Sequence, residues 1–445
     1  VRDLAIVAIV CGSLPLILFR PYFGLMVYCW LAYMRPQDMA WGMSRTLPLS
    51  QWVAIAMVVG IALALGRERL ATMKPQTVLM ILLGLWISLT VITAVQPEAS
   101  QVVYGHYWKG ILIAVLTTGL VRERNRFRWL LLLVIFSLGF LGAKRGLYGL
   151  LRGGIRYNDG PGGFIADNNS FALVLNMMLP LLVGVAISDQ DRRVRIAAAV
   201  TAGLCVPTIL FTFSRGGLLT LCLVSVLLVW RSRRRWLVAA VMGLAFLGVV
   251  AFSSDQLAEQ YKQRAESIGD YQEDRSALGR LNAWQTSWNV FLDYPLLGVG
   301  PDNLVVVFAR YAPDPDNFHV AHNAYFQVLA ECGLPALLFF VGSLGAAFWQ
   351  MQRLRRETAA PEVEMMARMF QITLLAYMTG SLFLNTAYNE LIYELIALTV
   401  CLEVVSRQPA EGAARAPVAI TAGELPWWKR APAPAPSTPS WTGRA

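Results

Sequence analysis

Apolar positions in this chain gather into long runs instead of alternating with polar ones. The runs cover about 4–19, 22–34, 51–66, 77–95, 107–121, 129–142, 168–188, 196–213, 216–230, 236–252, 324–349, 367–385 and 388–405. A helix crossing a bilayer needs roughly 20 apolar residues, with some latitude. Most runs meet that length. The first two are short and Arg20-Pro21 separates them, so they read as two crossings or as one broken element. The pattern predicts an all-α polytopic membrane protein with about 12 (12–13) transmembrane helices.

The polar breaks orient the helices. Basic clusters at Arg67/Arg69/Lys74, Arg122/Arg124/Arg126/Arg128, Arg192/Arg193/Arg195, Arg231/Arg233/Arg234/Arg235 and Arg353/Arg355/Arg356 occupy alternate loops. Cytoplasmic loops carry the excess of Lys and Arg, so these read as the inner side. The outer side then holds 96–106, 143–167, the junction near 214, 253–323 and the turn near 386. The segment 253–323 is the longest internal loop and carries ten acids against five bases. Within it, 254–268 and 275–292 read as helices. In the second, Leu281, Trp284, Trp288 and Phe291 recur at three- and four-residue steps and predict one apolar face. The expected organisation is 1–252, about ten N-terminal transmembrane helices; 253–323, a periplasmic helical loop or lid; 324–405, the C-terminal transmembrane helices; and 406–445, a Pro/Ala-rich disordered cytoplasmic tail.

Composition sharpens this reading. The chain has 445 residues, of which 56% are hydrophobic and 15% charged. Ordinary soluble chains are nearer 45–50% apolar and about 25% charged, which excludes a typical cytosolic enzyme and a disordered protein. The net charge of +10 lies in short clusters between apolar runs, not in a nucleic-acid patch. The six cysteines, Cys11, Cys29, Cys205, Cys222, Cys332 and Cys401, all lie in apolar runs. They read as small buried hydrophobes, with neither disulfide nor metal spacing.

Candidate chemistry is concentrated on the outer side. The only histidines are His106, His319 and His322. Imidazole titrates near neutral pH and is the natural proton acceptor. His322, followed by Asn323 and an apolar helix, can face a lipid-linked substrate; it can equally be an interfacial histidine without a role. Lys144, Arg145, Arg152, Arg156, Arg215, Arg275, Arg280 and Arg310 are basic residues on the wrong side for topology. Arg215 opens a membrane helix in Phe213-Ser214-Arg215-Gly216-Gly217. Arginine matches phosphate oxygens bidentately, helix N-termini favour anions, and glycines permit close approach. The competing reading is an arginine snorkelling to headgroups. Arg280 reads as a phosphate ligand or a solvated helix arginine. In 143–171, Gly and Arg alternate with aromatics before Asp167-Asn168-Asn169. That stretch can clamp a phosphate-bearing head, while Asp167 and Asn168 also fit a helix cap. Asp314-Pro-Asp316-Asn317 looks like a metal-binding acidic pair but is ordinary turn chemistry. The intramembrane acids Glu331, Glu390 and Glu394 stand out as rare. The sequence has no P-loop, nucleophile elbow or His/Cys metal spacing.

His322-Asn323, nine residues and then Gly333 resembles the His-Asn-x9-Gly signature of bacterial O-antigen ligases. Ser214-Arg215-Gly216-Gly217 is similar to the helix start that opens the shared region of the O-antigen ligase/polymerase superfamily. Arg280-Leu281-x-x-Trp284 followed by Asp293-Tyr-Pro-Leu-Leu-Gly-Val-Gly300 is similar to it as well. The stretch from Gly146-Leu147 to Asn169 resembles ligases associated with exosortase systems. The resemblance covers roughly 143–349. One departure is Gly333-Leu-Pro-Ala336, where the ligase pattern often ends in Gly, Thr or Tyr.

The resemblance implies a multi-pass, GT-C-like glycosyltransferase of the bacterial inner membrane with its active site facing the periplasm. It would be a lipopolysaccharide core–O-antigen ligase. The donor would be undecaprenyl-diphosphate-linked O-antigen and the acceptor a sugar hydroxyl of lipid A–core. His322 would be the general base. Arg215 and Arg280 would hold the diphosphate, with Arg145, Arg152 or Arg156 helping. Asn323, Asn168 and Arg275 are further candidates for acceptor or loop contacts. Transfer is expected to be inverting and metal-independent, with no cofactor, and membrane lipids and no nucleic acid as partners. The rivals are an O-antigen polymerase, a protein O-oligosaccharyltransferase, a polyprenyl-lipid flippase and a structural assembly protein.

Overall fold

A computed structural model describes residues 2–40, 42–64, 66, 68–231, 236, 243 and 275–408. The sequence-predicted helix 254–268, the apolar run 236–252 apart from residues 236 and 243, and the tail beyond 408 lie outside the described residues. The fold is helical: α1 Arg2–Phe19, α2 Pro21–Cys29, α3 Leu49–Leu63, α4 Pro75–Ile92, α5 Pro97–Leu120 and α6 Arg124–Leu151 come first. A small hairpin, β1 Asp159–Gly162 and β2 Ile165–Asp167, precedes α7 Asn168–Ser188, α8 Arg192–Phe211 and α9 Arg215–Arg231. Then follow α10 Arg275–Asp293, α11 Leu304–Tyr311, α12 Ala324–Glu357, α13 Pro361–Gly380 and α14 Glu390–Ser406. Among the described residues six helices, α1, α4, α6, α7, α8 and α12, are long and apolar enough to cross a membrane; α3 and α9 are shorter apolar helices. The chain is thus an all-α membrane protein.

Local sequence explains the helix ends. Proline stands at the start of α2, α4, α5 and α13, where its missing N–H costs nothing. Asp191 caps α8 by accepting from Arg193 N at 2.8 Å. The bundle centres on α7, which packs against α6, α8, α9 and α13, while α14 packs on α5 and α12 on α4. At one end Arg128 pairs with Asp189 at 2.8 Å, Arg126 with Glu68 at 3.1 Å and Lys74 with Glu403 at 3.0 Å. These ties join three of the basic clusters into one charged end.

The first 34 residues fold back on themselves. Asp3, at the start of α1, accepts from Gly42 N at 3.2 Å and from Ser44 N and Oγ at 3.0 and 2.6 Å. The start of α1 and the segment after Met34 are therefore at the same end, so the chain passes down and back, turning at Arg20-Pro21. The return pass is α2 continued by a π-helical turn, Trp30–Met34.

Three sequence expectations are corrected. Segments 97–106 and 143–151 are not loops; they are the first turns of α5 and the last turns of α6. The buried face of α10 is Ala283, Thr286, Ser287 and Val290, whereas Leu281 and Trp288 are 51% and 42% exposed. Helical periodicity marks an amphipathic helix, but the packed side here is the one with small residues, which lets α10 lie close to its neighbours. Cys11 and Cys222 are exposed on their helices, while the other four cysteines are buried; all six are free.

Candidate functional site

Asn323 stops the incoming chain and starts α12. Its side-chain oxygen accepts from Tyr325 N at 2.9 Å and Phe326 N at 3.1 Å, and its own N–H donates to Asn385 Oδ1 at 3.2 Å. His322, one residue earlier, has φ +45°. That left-handed conformation is costly for a side chain with a Cβ and persists only where surroundings enforce it. The cap and Asn385 fix the backbone at the next residue, and the imidazole is half-buried.

Arg280 reaches this position through Trp284. The Trp284 indole N–H donates to Ala321 O at 2.8 Å, and its ring stacks on Phe326 with centroids 5.7 Å apart. Arg280 is four residues earlier on the same helical face, so the anchored tryptophan directs it towards His322. Gly279 completes the fit, because a Cβ there would lie 2.3 Å from His319 Nδ1. The His319 ring therefore lies against α10. Its buried Nδ1 has no hydrogen-bond partner.

From the other side come the starts of α7 and α9. Asp167 caps α7, accepting from Asn169 N at 2.9 Å and Ser170 N at 3.0 Å. Asn168 Nδ2 donates to Thr212 O at 2.8 Å, which fixes α7 to the end of α8. Ser214 Oγ caps α9 by accepting from Gly217 N at 3.0 Å. The glycines after Arg215 serve helix packing: a Cβ on Gly217 would lie 2.7 Å from Ala172 Cβ, and one on Gly216 would lie 3.3 Å from Phe383 Cβ. Arg215 stands exposed at that helix start.

The charges around His322 act in a defined direction. Burial, then the Arg280 guanidinium and the neighbouring His319, hold its pKa below the usual 6.5; Asp167 pulls the other way. A neutral imidazole at physiological pH accepts a proton. Residues from α10, the 319–322 loop and the α7 cap thus converge on one point.

The other predicted arginines spread along the same end. The Arg156 guanidinium lies over the Phe213 ring at 5.7 Å, beside the α9 start. Arg152 closes α6 and covers Tyr148 at 5.5 Å. Arg145 donates to Asp159 O at 2.5 Å and stands 5.1 Å from the Tyr157 ring and 5.3 Å from that of Phe171. Arg275 begins α10, but its side chain lies outside the described residues. Asn168 Nδ2 and Asn323 Oδ1 are engaged in the structural bonds above, so both residues position the starts of α7 and α12.

The glycines of the sequence patterns have structural work. Gly333 breaks α12 with φ +77°, ψ 179°. The segment 295–300 crosses α12 there: Val299 N donates to Ala330 O at 3.1 Å, Gly300 N to Glu331 O at 2.8 Å and Leu334 N to Pro295 O at 2.9 Å. The crossing ties the end of α10 to the helix that His322 precedes. Asp314 and Asn317 form a turn held by Asn282, whose Nδ2 donates to Asp314 O at 2.8 Å and Asn317 O at 3.0 Å.

Sequence reasoning missed three participants. His319 had only its His-x-x-His spacing to His322 as a signal. Asn385 had none. Arg35 had none either, yet the Gly-Pro-Gly-Gly hairpin is shaped around it. A Cβ on Gly163 (φ +58°) would lie 2.0 Å from an Arg35 guanidinium nitrogen. Arg35 also pairs with Asp38 at 2.5 Å. Those glycines therefore admit a protein cation. Among the described residues no group of three or more His, Cys, Asp or Glu is arranged to hold a metal.

Comparison with known proteins adds two matches. Residues 197–341 match the family described as O-antigen ligase, which supports membership of the O-antigen ligase superfamily. Residues 1–172 match a family of unknown function (DUF5935). A search of curated proteins finds no match.

Proposed function

We propose that this member of the O-antigen ligase superfamily is a metal-independent, inverting O-antigen ligase of the bacterial inner membrane. On this reading it has a GT-C-like fold with 12–13 crossings, and the His322 end faces the periplasm. The donor is O-antigen on undecaprenyl diphosphate and the acceptor a sugar hydroxyl of lipid A–core. The observation that carries the reading is a histidine kept neutral beside an arginine. One group accepts a proton, and the other meets the charge that develops on a departing diphosphate.

In the proposed step the acceptor oxygen bonds to the anomeric carbon while the bond from that carbon to the diphosphate oxygen breaks. The hydroxyl proton passes to His322. The leaving diphosphate takes the electron pair, and Arg280 and Arg215 stabilise it, with Arg156 and Arg152 on the flank. Direct displacement on one face inverts the anomeric configuration. Arginine charge supplies what a metal would otherwise give.

The test uses purified protein, lipid-diphosphate O-antigen and lipid A–core with EDTA present. A ligated ladder that disappears in His322→Ala is the expected outcome. Full activity in that variant would refute the base assignment, and activity that needs Mg²⁺ would refute metal independence. Acceptor identity separates the rivals: another glycan chain indicates a polymerase and a protein hydroxyl a protein O-oligosaccharyltransferase. Glycolipid movement without a new glycosidic bond indicates a flippase.

A further inference from the structure

A cavity of about 730 Å³ opens beside the last turns of α6. Five cations line it, Arg2, Arg35, Arg45, Lys144 and Arg145, against one acid, Asp38, which is already paired with Arg35. Apolar groups, among them Met34, Met39 and Phe140, complete the wall. The volume falls in the roughly 300–1,000 Å³ range of small-molecule sites. Concentrating cations at an apolar wall is unfavourable without a counter-charge, and one acid does not balance five bases. Arg35 lines both this cavity and its neighbour and has φ +50°. Its strained backbone is held by the glycine hairpin and Asp38, the arrangement expected where position matters more than local comfort. A second cavity, of about 600 Å³, shares Arg35, Asp38 and Arg45 and continues past His106, Lys109 and Glu390.

We infer that the first cavity binds a phosphate group of the acceptor glycolipid, with its acyl chains against the apolar wall. The inference rests on the ligase reading above. The donor's diphosphate is bonded to the reacting carbon, so it must lie at His322. None of the groups whose charge acts on His322, which are Arg280, His319 and Asp167, lines this cavity. A cationic site apart from the reacting point fits a phosphate that is remote from the reacting hydroxyl, as on the lipid end of an acceptor. Arg145 joins the two regions, since it lines the cavity and also lies over Phe171 in the first turn of α7. The second cavity offers Gln37, Ser50 and His106 to sugar hydroxyls along the same groove.

The test uses the full chain in phosphatidylcholine nanodiscs and the variant Arg45→Ala/Lys144→Ala; both side chains are exposed, so their removal should leave folding intact. Binding of bisphosphorylated lipid A is measured directly, with fully dephosphorylated lipid A and phosphatidylglycerol as the comparison probes. Transfer kinetics are measured in parallel. The expected result is lipid A binding weakened more than tenfold by the double substitution and by dephosphorylation, no competition from phosphatidylglycerol, and a raised acceptor KM with the donor KM unchanged. A raised donor KM would mean that the cavity holds the donor diphosphate. Equal competition by phosphatidylglycerol would make it a bilayer-lipid site, and unchanged binding in the variant would remove the site altogether. If wild-type protein binds lipid A in this phosphate-dependent way yet transfers nothing to it, the ligase reading fails while the site stands.

Discussion

Replacing Gly333 with alanine should separate the two halves of the candidate site. The residue has φ +77°, ψ 179°, and a Cβ there would lie 1.9 Å from Leu296 O and 2.3 Å from the carbon of that carbonyl. Both are backbone atoms, so the 295–300 segment must move. The conformation itself costs about 1–3 kcal/mol for a residue with a Cβ. Displacing the segment endangers three backbone hydrogen bonds, from Val299 N, Gly300 N and Leu334 N, each worth roughly 0.5–1.5 kcal/mol net. The expected loss is on the order of 4 kcal/mol, a large share of the roughly 5–15 kcal/mol typical of a folded domain. Gly345 is the internal control: it lies on the same helix, and a Cβ there meets nothing within 4 Å. Unfolding midpoints followed by tryptophan fluorescence in one detergent, with glycan transfer measured on the same samples, provide the assay. Gly345→Ala should match wild type. Gly333→Ala should melt well below both and lose transfer, because the segment links the α10 that carries Arg280 to the helix that follows His322. A Gly333→Ala protein indistinguishable from the control in both measurements would refute this account of the crossing.

Two further outcomes follow from the site. His322 is held below its ordinary pKa of 6.5, so as pH falls it stays neutral past that value and loses its capacity as base only at lower pH. The acidic limb of kcat/KM should therefore lie below pH 6.5, and Arg280→Gln should move it upward in whatever activity remains; a limb above 6.5, or one unmoved by the substitution, contradicts the assignment. Asn323→Ala should lower stability by about 0.5–2 kcal/mol through loss of the cap, while Asn323→Ser should recover most of it; equal melting of the two variants would show that the cap is not what fixes the start of α12.

Much of the fold was legible because its signals are local. Runs of apolar residues and the helix cap at Asp167-Asn168 each act within a few residues of themselves. Helical order in a bilayer follows from that short-range information, since the backbone must satisfy its hydrogen bonds within each segment. The pairing of a histidine before one helix with arginines elsewhere was legible only as a resemblance. Composition and spacing do not state that Trp284 anchors Arg280 or that Gly279 makes room for His319.

What the sequence alone determined was an all-helical membrane protein and the side chains available for proton and phosphate chemistry. Tertiary structure decided which of them meet. It set Asp167, His319, Arg280 and His322 around one point, used Asn168 and Asn323 to hold helix starts, and left Leu281 and Trp288 exposed on the α10 face that periodicity marked as apolar, while Trp284 of that face packs on Phe326. It also brought Arg35 into the glycine hairpin, joining segments far apart in the chain. The physical reason is that helix formation is encoded by neighbours in sequence. Which helix faces pack together depends on the fit of small residues such as Gly163, Gly217 and Gly279 against distant partners, and a single sequence does not name those partners.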